Sequence, residues 1–397
     1  MNAERKGQSP FYPGQPVPVE LFVGRTDEVA RIKRAADQVS QGKPQAVFIT
    51  GEYGIGKSSL ARYARVFAEE DPGLLGFHVM LGTADSLEDV ASATIRTLIE
   101  SPHLKASTTD SLRNFLAKYI GEQSLFGIHL RLDKLRADAP DISRGYLPLL
   151  RSVHEQGGGD YRGVMLILDE INGMAQKPEF GQFLKTLVDE NALSDRPVPL
   201  LLVLCGTEER RREIIEHHRP VERIFEVAHI EPMNNAEMRE FFQKAFGQAQ
   251  MQVEEEALQL LCRYSGGLPK LMHLLGDAAF WIATGDRISR EVALNAVLAA
   301  VEDVGRKFVD QQVYRALRSK DYHSILAKLS GFKFDLVFRK GDIAKGLSRE
   351  ELRKFTNFLQ RMKRLGVLVP GEERGEYAFR DRLTRLYLAL QAVEKKP

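Results

Sequence analysis

Eight consecutive residues, Gly51-Glu52-Tyr53-Gly54-Ile55-Gly56-Lys57-Ser58, carry the spacing G-x-x-x-x-G-K-S. Glycines at those intervals let a chain turn back on itself, so that successive backbone N–H groups point inward at an anion. Lys57 then reaches the β- and γ-phosphates of a nucleoside triphosphate, and the Ser58 hydroxyl offers a ligand to Mg²⁺. Gly51, Tyr53, Gly54, Ile55, Gly56, Lys57, Ser58 and Ser59 are the candidate nucleotide contacts. A second constellation, Asp169-Glu170, ends the apolar run Val164–Leu168. Two carboxylates there suit a division of labour: Asp169 holds Mg²⁺ through water, and Glu170 orients and polarises an attacking water. Thr207 closes a third apolar run, Leu200–Cys205 with Gly206, where a hydroxyl would meet the γ-phosphate or the lytic water.

These residues need a scaffold that brings them to one edge. Ala46–Thr50 is short, apolar and β-branched, which predicts a buried strand, and Ser58–Ala68 has helical character. A helix that starts at the glycine loop turns its positive end towards the same anion. Further strands are predicted at Gly76–Leu81, Val164–Leu168, Pro197–Thr207 and Phe225–Ile230, with helices between them. Alternation of this kind gives an α/β fold, a five-stranded, mostly parallel sheet whose carboxyl ends share one edge.

Length and composition bound the rest. The chain has 397 residues, 43% hydrophobic and 28% charged, with a net charge of +2. That length suits two or three domains. Two cysteines, Cys205 and Cys262, lie far apart without metal-ligand spacing, so no disulfide framework is expected and a reducing, cytoplasmic setting is. No apolar run has the length of a membrane span.

In chain order, residues 1–20 read as an extended strap rich in proline. Residues 21–232 form the nucleotide-binding core, with an insert over 84–162. In the insert, helices are expected over Asp85–Glu100, Thr109–Ile120 and Ser143–Glu155, and a strand over Phe126–Leu132. Ahead of the loop stands Phe22-Val23-Gly24-Arg25, whose apolar residues Phe22 and Val23 would wall the adenine. Over residues 233–305 the strand signal disappears and four amphipathic helices are expected, a helical lid; Gly266-Gly267-Leu268-Pro269 separates the second from the third. In residues 306–397, Ser348-Arg349-Glu350-Glu351 is a capping box that opens a third helix, with Leu352, Phe355, Leu359 and Met362 on one face. Residues 366–379 read as a hairpin, which together with three helices makes a winged helix-turn-helix.

From Arg306 to Arg364 there are 16 Lys/Arg against 6 Asp/Glu, a net of +10, so the remainder carries −8. Arg349, Arg353, Asn357, Arg361 and Arg364 fall opposite the apolar stripe of the third helix. Such a face suits nucleic acid, and equally a solvated basic surface or a dock for an acidic protein.

The order of strap, F-V-G-R, glycine loop, D-E strand, threonine-ended strand, helical lid and winged helix resembles the AAA+/STAND group of P-loop ATPases. Within that group it is most similar to the Orc1-like and archaeal-type ATPases, whose relatives include origin-recognition initiators. The resemblance implies ATP/ADP and Mg²⁺ as ligands. It implies Lys57 and Ser58 on phosphate and metal, Asp169 for metal, Glu170 for water and Thr207 as a sensor. Arg223 resembles the arginine that a neighbouring subunit lends, with Arg219 as competitor. In such initiators an arginine begins a lid helix; here the turn is Ser265-Gly266-Gly267-Leu268-Pro269-Lys270. That G-x-P turn resembles STAND switch proteins, in which the region of Pro269 contacts nucleotide. Two functions follow as expectations. One is an Mg²⁺-dependent ATPase and nucleotide-driven switch, a homo-oligomer at least with ATP, whose basic winged helix contacts DNA. The other is a signalling or defence switch that oligomerises on ATP and whose winged helix holds a protein partner.

Overall fold

The computed structural model describes residues 7–15, 17–101, 142–156, 160–317, 319–331, 336–371 and 373–394. The helix expected over Thr109–Ile120 and the strand over Phe126–Leu132 lie outside them. Packing divides the chain into two compact units, one of residues 16–231 and one of residues 1–15 with 232–397.

The first unit is built on a five-stranded sheet. Its elements run α1 (Thr26–Ser40), β1 (Gln45–Gly51), α2 (Lys57–Glu70), β2 (Leu74–Met80), α3 (Leu87–Ile99) and α4 (Ile142–Gln156). They continue with β3 (Gly163–Asp169), α5 (Pro178–Ala192), β4 (Leu200–Gly206), α6 (Glu208–His217) and β5 (Glu226–Ile230). The strand order is β2-β3-β4-β1-β5 and every pairing is parallel. All seven residues of β3 and all seven of β4 are buried. Strands covered on both faces lose the alternation of apolar and polar side chains, which is why these two read as continuous apolar runs. Each fully buried aliphatic side chain contributes about 1.5–3 kcal/mol.

Register sets the height of the strand ends. Phe48 of β1 pairs with Leu204 of β4, and Leu204 with Leu168 of β3. One residue further, Ile49, Cys205 and Asp169 are level, and the loop after Gly51, the Asp169-Glu170 pair and Thr207 leave the sheet at the same edge.

The second unit is mainly helical. It comprises α7 (Asn235–Gln248), β6 (Gln252–Val253), α8 (Glu255–Ser265), α9 (Pro269–Ile282), β7 (Arg287–Ile288), α10 (Arg290–Val304) and a π-helical stretch over Gly305–Tyr314. Beyond these come α11 (Lys320–Gly331), β8 (Val337–Arg339), α12 (Lys340–Ala344), α13 (Arg349–Arg364), β9 (Leu368–Pro370), β10 (Glu376–Phe379) and α14 (Arg382–Glu394). The four helices expected here are present, but the strand signal does not vanish: β6 and β7 pair in parallel beside them. Of the N-terminal strap, residues 7–15 belong to this unit through Phe11, which is buried among Phe241, Phe242, Phe246 and His273, and residues 17–20 belong to the first. The Tyr12 backbone N–H donates to His273 Nδ1 at 3.1 Å. Burial lowers the His273 pKa to about 4, so the ring stands there as a neutral acceptor.

The C-terminal part of this unit places α11, α12 and α13 beside a three-stranded antiparallel sheet in the order β8-β10-β9. That arrangement fits a winged helix. The expected hairpin is β9–β10, and β8 adds a third strand. On α13 the buried stripe is Glu351, Phe355, Phe358, Leu359 and Met362; Leu352, assigned to it from spacing, is exposed. The closing helix α14 returns to the segment after α10, where the Tyr387 ring packs on Gly305 and its hydroxyl donates to Asp310 at 2.9 Å.

Candidate nucleotide site and basic face

The loop between β1 and α2 turns as its glycines require. Gly54 and Gly56 have φ of +79° and +102°, the latter as the N-cap of α2, conformations that side chains rarely adopt. Ile55 between them is fully buried and anchors the loop, while Tyr53 is exposed. The Lys57 ammonium reaches back over the loop and donates to the carbonyls of Gly51 (3.1 Å) and Glu52 (2.7 Å). Ser58 and Ser59 open α2 beside it, and Ser59 Oγ accepts the Val17 N–H at 3.3 Å. N–H groups, a lysine and a helix start around one turn make an anion site.

Asp169 ends β3 and is almost fully buried. Its Oδ1 accepts the Glu170 backbone N–H at 2.8 Å, and its Oδ2 accepts from His78 Nε2 of the neighbouring strand β2 at 2.9 Å. On the other side stands the Cys205 thiol of β4; burial first, then the charge of Asp169, pushes that thiol well above the usual range. Cys205 is thus a buried apolar residue, as its run suggested, and a neighbour of the Asp169 charge. Glu170 is exposed, with a left-handed φ of +57°. Its carboxylate lies against Gly82, where an added Cβ would stand 2.4 Å from Oε2.

The donors fit Mg²⁺. A hydroxyl and a carboxylate are hard oxygen ligands, and this ion is usually held by one or two protein oxygens together with substrate phosphates. Among the described residues no cluster of three or more His, Cys, Asp or Glu could cage a metal by itself.

Thr207 caps α6, its Oγ1 accepting the Arg210 N–H at 3.3 Å. That use takes a lone pair and leaves the hydroxyl proton to donate. Arg219 and Arg223 lie in a 3₁₀ turn before β5, both exposed. Phe22 stacks on Tyr63 of α2 with centroids 4.4 Å apart, and Val23 is buried. The residue of that motif missed by the sequence reading is Arg25. Buried at the start of α1 with φ of +60°, it donates to the Ile55 carbonyl at 3.3 Å and to the Glu231 carbonyl. It therefore ties the phosphate loop to the end of β5. Pro269 belongs to the second unit, at the first position of α9. There Gly267 packs on the backbone of Met233 and accepts its N–H at 2.9 Å.

The C-terminal basic face is narrower than the charge count implied. Ion pairs occupy Arg306 (Glu302), Lys307 (Asp303), Lys328 (Glu351), Arg339 (Glu373), Lys345 (Asp342) and Lys354 (Asp321). Arg349, Arg353, Asn357, Arg361 and Arg364 are all exposed along α13, and among the described residues the four arginines have no ion-pair partner. Asn357, Arg361 and Arg364 meet Arg315, Tyr322 and Gln360 in an open groove of about 670 Å³; Arg349 and Arg353 lie outside it. Arg315 and Gln360 were not foreseen, since Arg315 reaches the groove from before α11.

Comparison with known proteins places these features. Residues 21–203 match the family model of the AAA ATPase domain. No curated protein matches the chain in sequence. Among solved structures, the chain is similar to the Walker-type ATPase of Pyrococcus abyssi, with a TM-score of 0.58 and 16% identity over 92% of this chain and 96% of that one. It is also similar to the Aeropyrum pernix ORC2 protein in its ADPNP–ADP complexes, with a TM-score of 0.59 and 15% identity over 93% of each chain. At such identities the likeness is one of fold. The chain as a whole has a P-loop AAA+ fold like that of ORC2, and the match to the AAA ATPase domain falls on the part that carries the glycine loop and the Asp169-Glu170 pair.

Proposed function

We propose that this protein is an Mg²⁺-dependent ATPase that works as a nucleotide-driven switch and contacts duplex DNA through α13. The observation that carries the reading is the meeting, at one sheet edge, of the Gly51–Ser58 loop with Asp169, Glu170 and Thr207. The loop N–H groups and Lys57 bind and orient the phosphates. Ser58 and Asp169 hold Mg²⁺, which when bound neutralises charge on the β- and γ-phosphates. Glu170, its carboxylate against Gly82, accepts a hydrogen bond from the attacking water and takes its proton. Thr207 donates its free hydroxyl proton to the γ-phosphate or the water. Loss of that contact on hydrolysis is the signal the switch reads, with the Gly266–Pro269 turn as the lid's reporter. An oligomer in the ATP state would bring Arg223, or Arg219, to a neighbour's nucleotide.

A second reading, a switch whose C-terminal region holds a protein partner, is favoured by that turn, which carries a proline and no arginine. It differs in the partner and leaves the nucleotide chemistry unchanged.

The chemistry is tested with two variants. Lys57→Ala is expected to lose nucleotide binding. Glu170→Gln is expected to bind ATP as the wild type does while hydrolysis falls about 100-fold or more. Wild-type turnover by Glu170→Gln would remove Glu170 from the role given to it.

A further inference from the structure

We propose that His78 is a positioning residue for Asp169, holding its carboxylate in the one orientation that serves Mg²⁺. The inference rests on the reading of Asp169 as a metal ligand. Three neighbouring strands, β2, β3 and β4, converge on this carboxylate. His78 reaches Oδ2 at 2.9 Å, the Glu170 N–H reaches Oδ1 at 2.8 Å, and the Cys205 thiol approaches from β4. The Asp169 side chain is 2% exposed and that of His78 is 18% exposed.

A carboxylate so deeply buried costs several kcal/mol in solvation unless hydrogen bonds replace the water. Neither Lys nor Arg is ion-paired to it among the described residues. The replacement comes from a ring N–H on Oδ2 and a backbone N–H on Oδ1. Each carboxylate oxygen offers about two lone-pair directions, so one donor apiece leaves each oxygen able to face a metal or its water. The donors also fix rotation about the side chain: releasing Oδ2 frees the group to turn about its terminal bond, and a metal then has to restore the orientation. Partners of this outer kind are worth about 10–100-fold in metal affinity. His78 sits on the edge strand β2, far in sequence from any nucleotide motif, and only the pairing of Met80 with Asp169 brings it within reach.

The test uses the full-length protein and a fluorescent ATP analogue, with Mg²⁺ titrated from EDTA upwards. His78→Gln keeps a donor at similar reach, and His78→Leu keeps volume without one. For His78→Leu the Mg²⁺ concentration at half effect should rise roughly 10–100-fold, with affinity in EDTA unchanged. His78→Gln should return most of that loss. A simple packing role would lower the thermal midpoint without separating the two variants in their Mg²⁺ dependence. Equal Mg²⁺ dependence in folded Gln and Leu variants overturns the inference while the function proposed above stands. Wild-type binding indifferent to Mg²⁺ overturns the assignment of Ser58 and Asp169 itself, and the inference with it.

Discussion

At the level of single residues, the site rests on a few close approaches. Gly82 follows β2 and leaves room for the Glu170 carboxylate, which any Cβ there would meet at 2.4 Å. Gly82→Ala is expected to retain nucleotide binding and to lose about 10–100-fold in hydrolysis, since small misplacements of a catalytic group cost that much. A stopped-flow or phosphate-release assay beside an ATP-binding titration separates the two, and unchanged turnover would show that Glu170 acts from another position. The loop glycines, Lys57, Ser58, Asp169 and Glu170 were legible because their chemistry is written in consecutive residues. Gly82, His78 and Arg25 were not. Each acts on a partner that is adjacent only after the sheet has formed, as with His78 and Asp169, 91 residues apart. A local pattern holds no trace of such a pairing.

Among elements, α13 shows what capping and periodicity specify and where they stop. The Ser348 box forms as its spacing implies, Ser348 Oγ accepting from the Glu351 N–H at 3.3 Å and Glu351 Oε2 accepting from the Ser348 N–H at 2.6 Å. Glu351 has a second task, invisible in the box. It is buried, accepts from Ser324 at 2.6 Å and pairs with Lys328 at 2.7 Å, so it also joins α13 to α11. Burial alone would raise its pKa; Lys328, Ser324 and the Ser348 N–H outweigh that and bring it to about 2. The native state thus binds its proton later than the unfolded chain does. The stabilisation is full above the ordinary carboxylate range and is lost as pH falls towards 2. Glu351→Ala should cost the C-terminal region about 1–3 kcal/mol at neutral pH, with a smaller difference from wild type in acid, by denaturant titration. A difference that does not shrink in acid would mean that the contacts of Glu351 are not electrostatic. Periodicity put Leu352 in the stripe and omitted Phe358 and Glu351, an offset of one position that only packing against α11 decides. The strands β6, β7 and β8 have two or three residues each, too short for any alternation. The helix α14 went unassigned because polar residues stand in its core, with Thr384 and Arg385 buried beside Leu383 and Leu388. Arg385 donates to the Ser330 carbonyl at 2.8 Å and lies over the Phe379 ring.

For the whole molecule, fold class was legible because buried parallel strands leave unbroken apolar runs and the glycine loop dates the first of them. Charge was legible only as a sum. The net of +10 over residues 306–364 became a defined face once ion pairs had taken up Lys328, Arg339, Lys345 and Lys354 and left the α13 arginines to solvent. Phosphate contacts by such residues release counterions, so each should add about one unit to the slope of log affinity against log salt. Arg353→Glu with Arg361→Glu should reduce that slope by about two and weaken binding to all duplex sequences alike. The central claim is that nucleotide state governs what this face does. The measurement that reaches it most directly is duplex DNA binding by the Glu170→Gln protein, with ATP and then with ADP, at low and moderate salt. Salt-sensitive binding that differs between the two nucleotides is the expected result. Binding that is absent, or equal with ATP and ADP, would contradict a DNA-directed switch and leave a protein as the partner of α13.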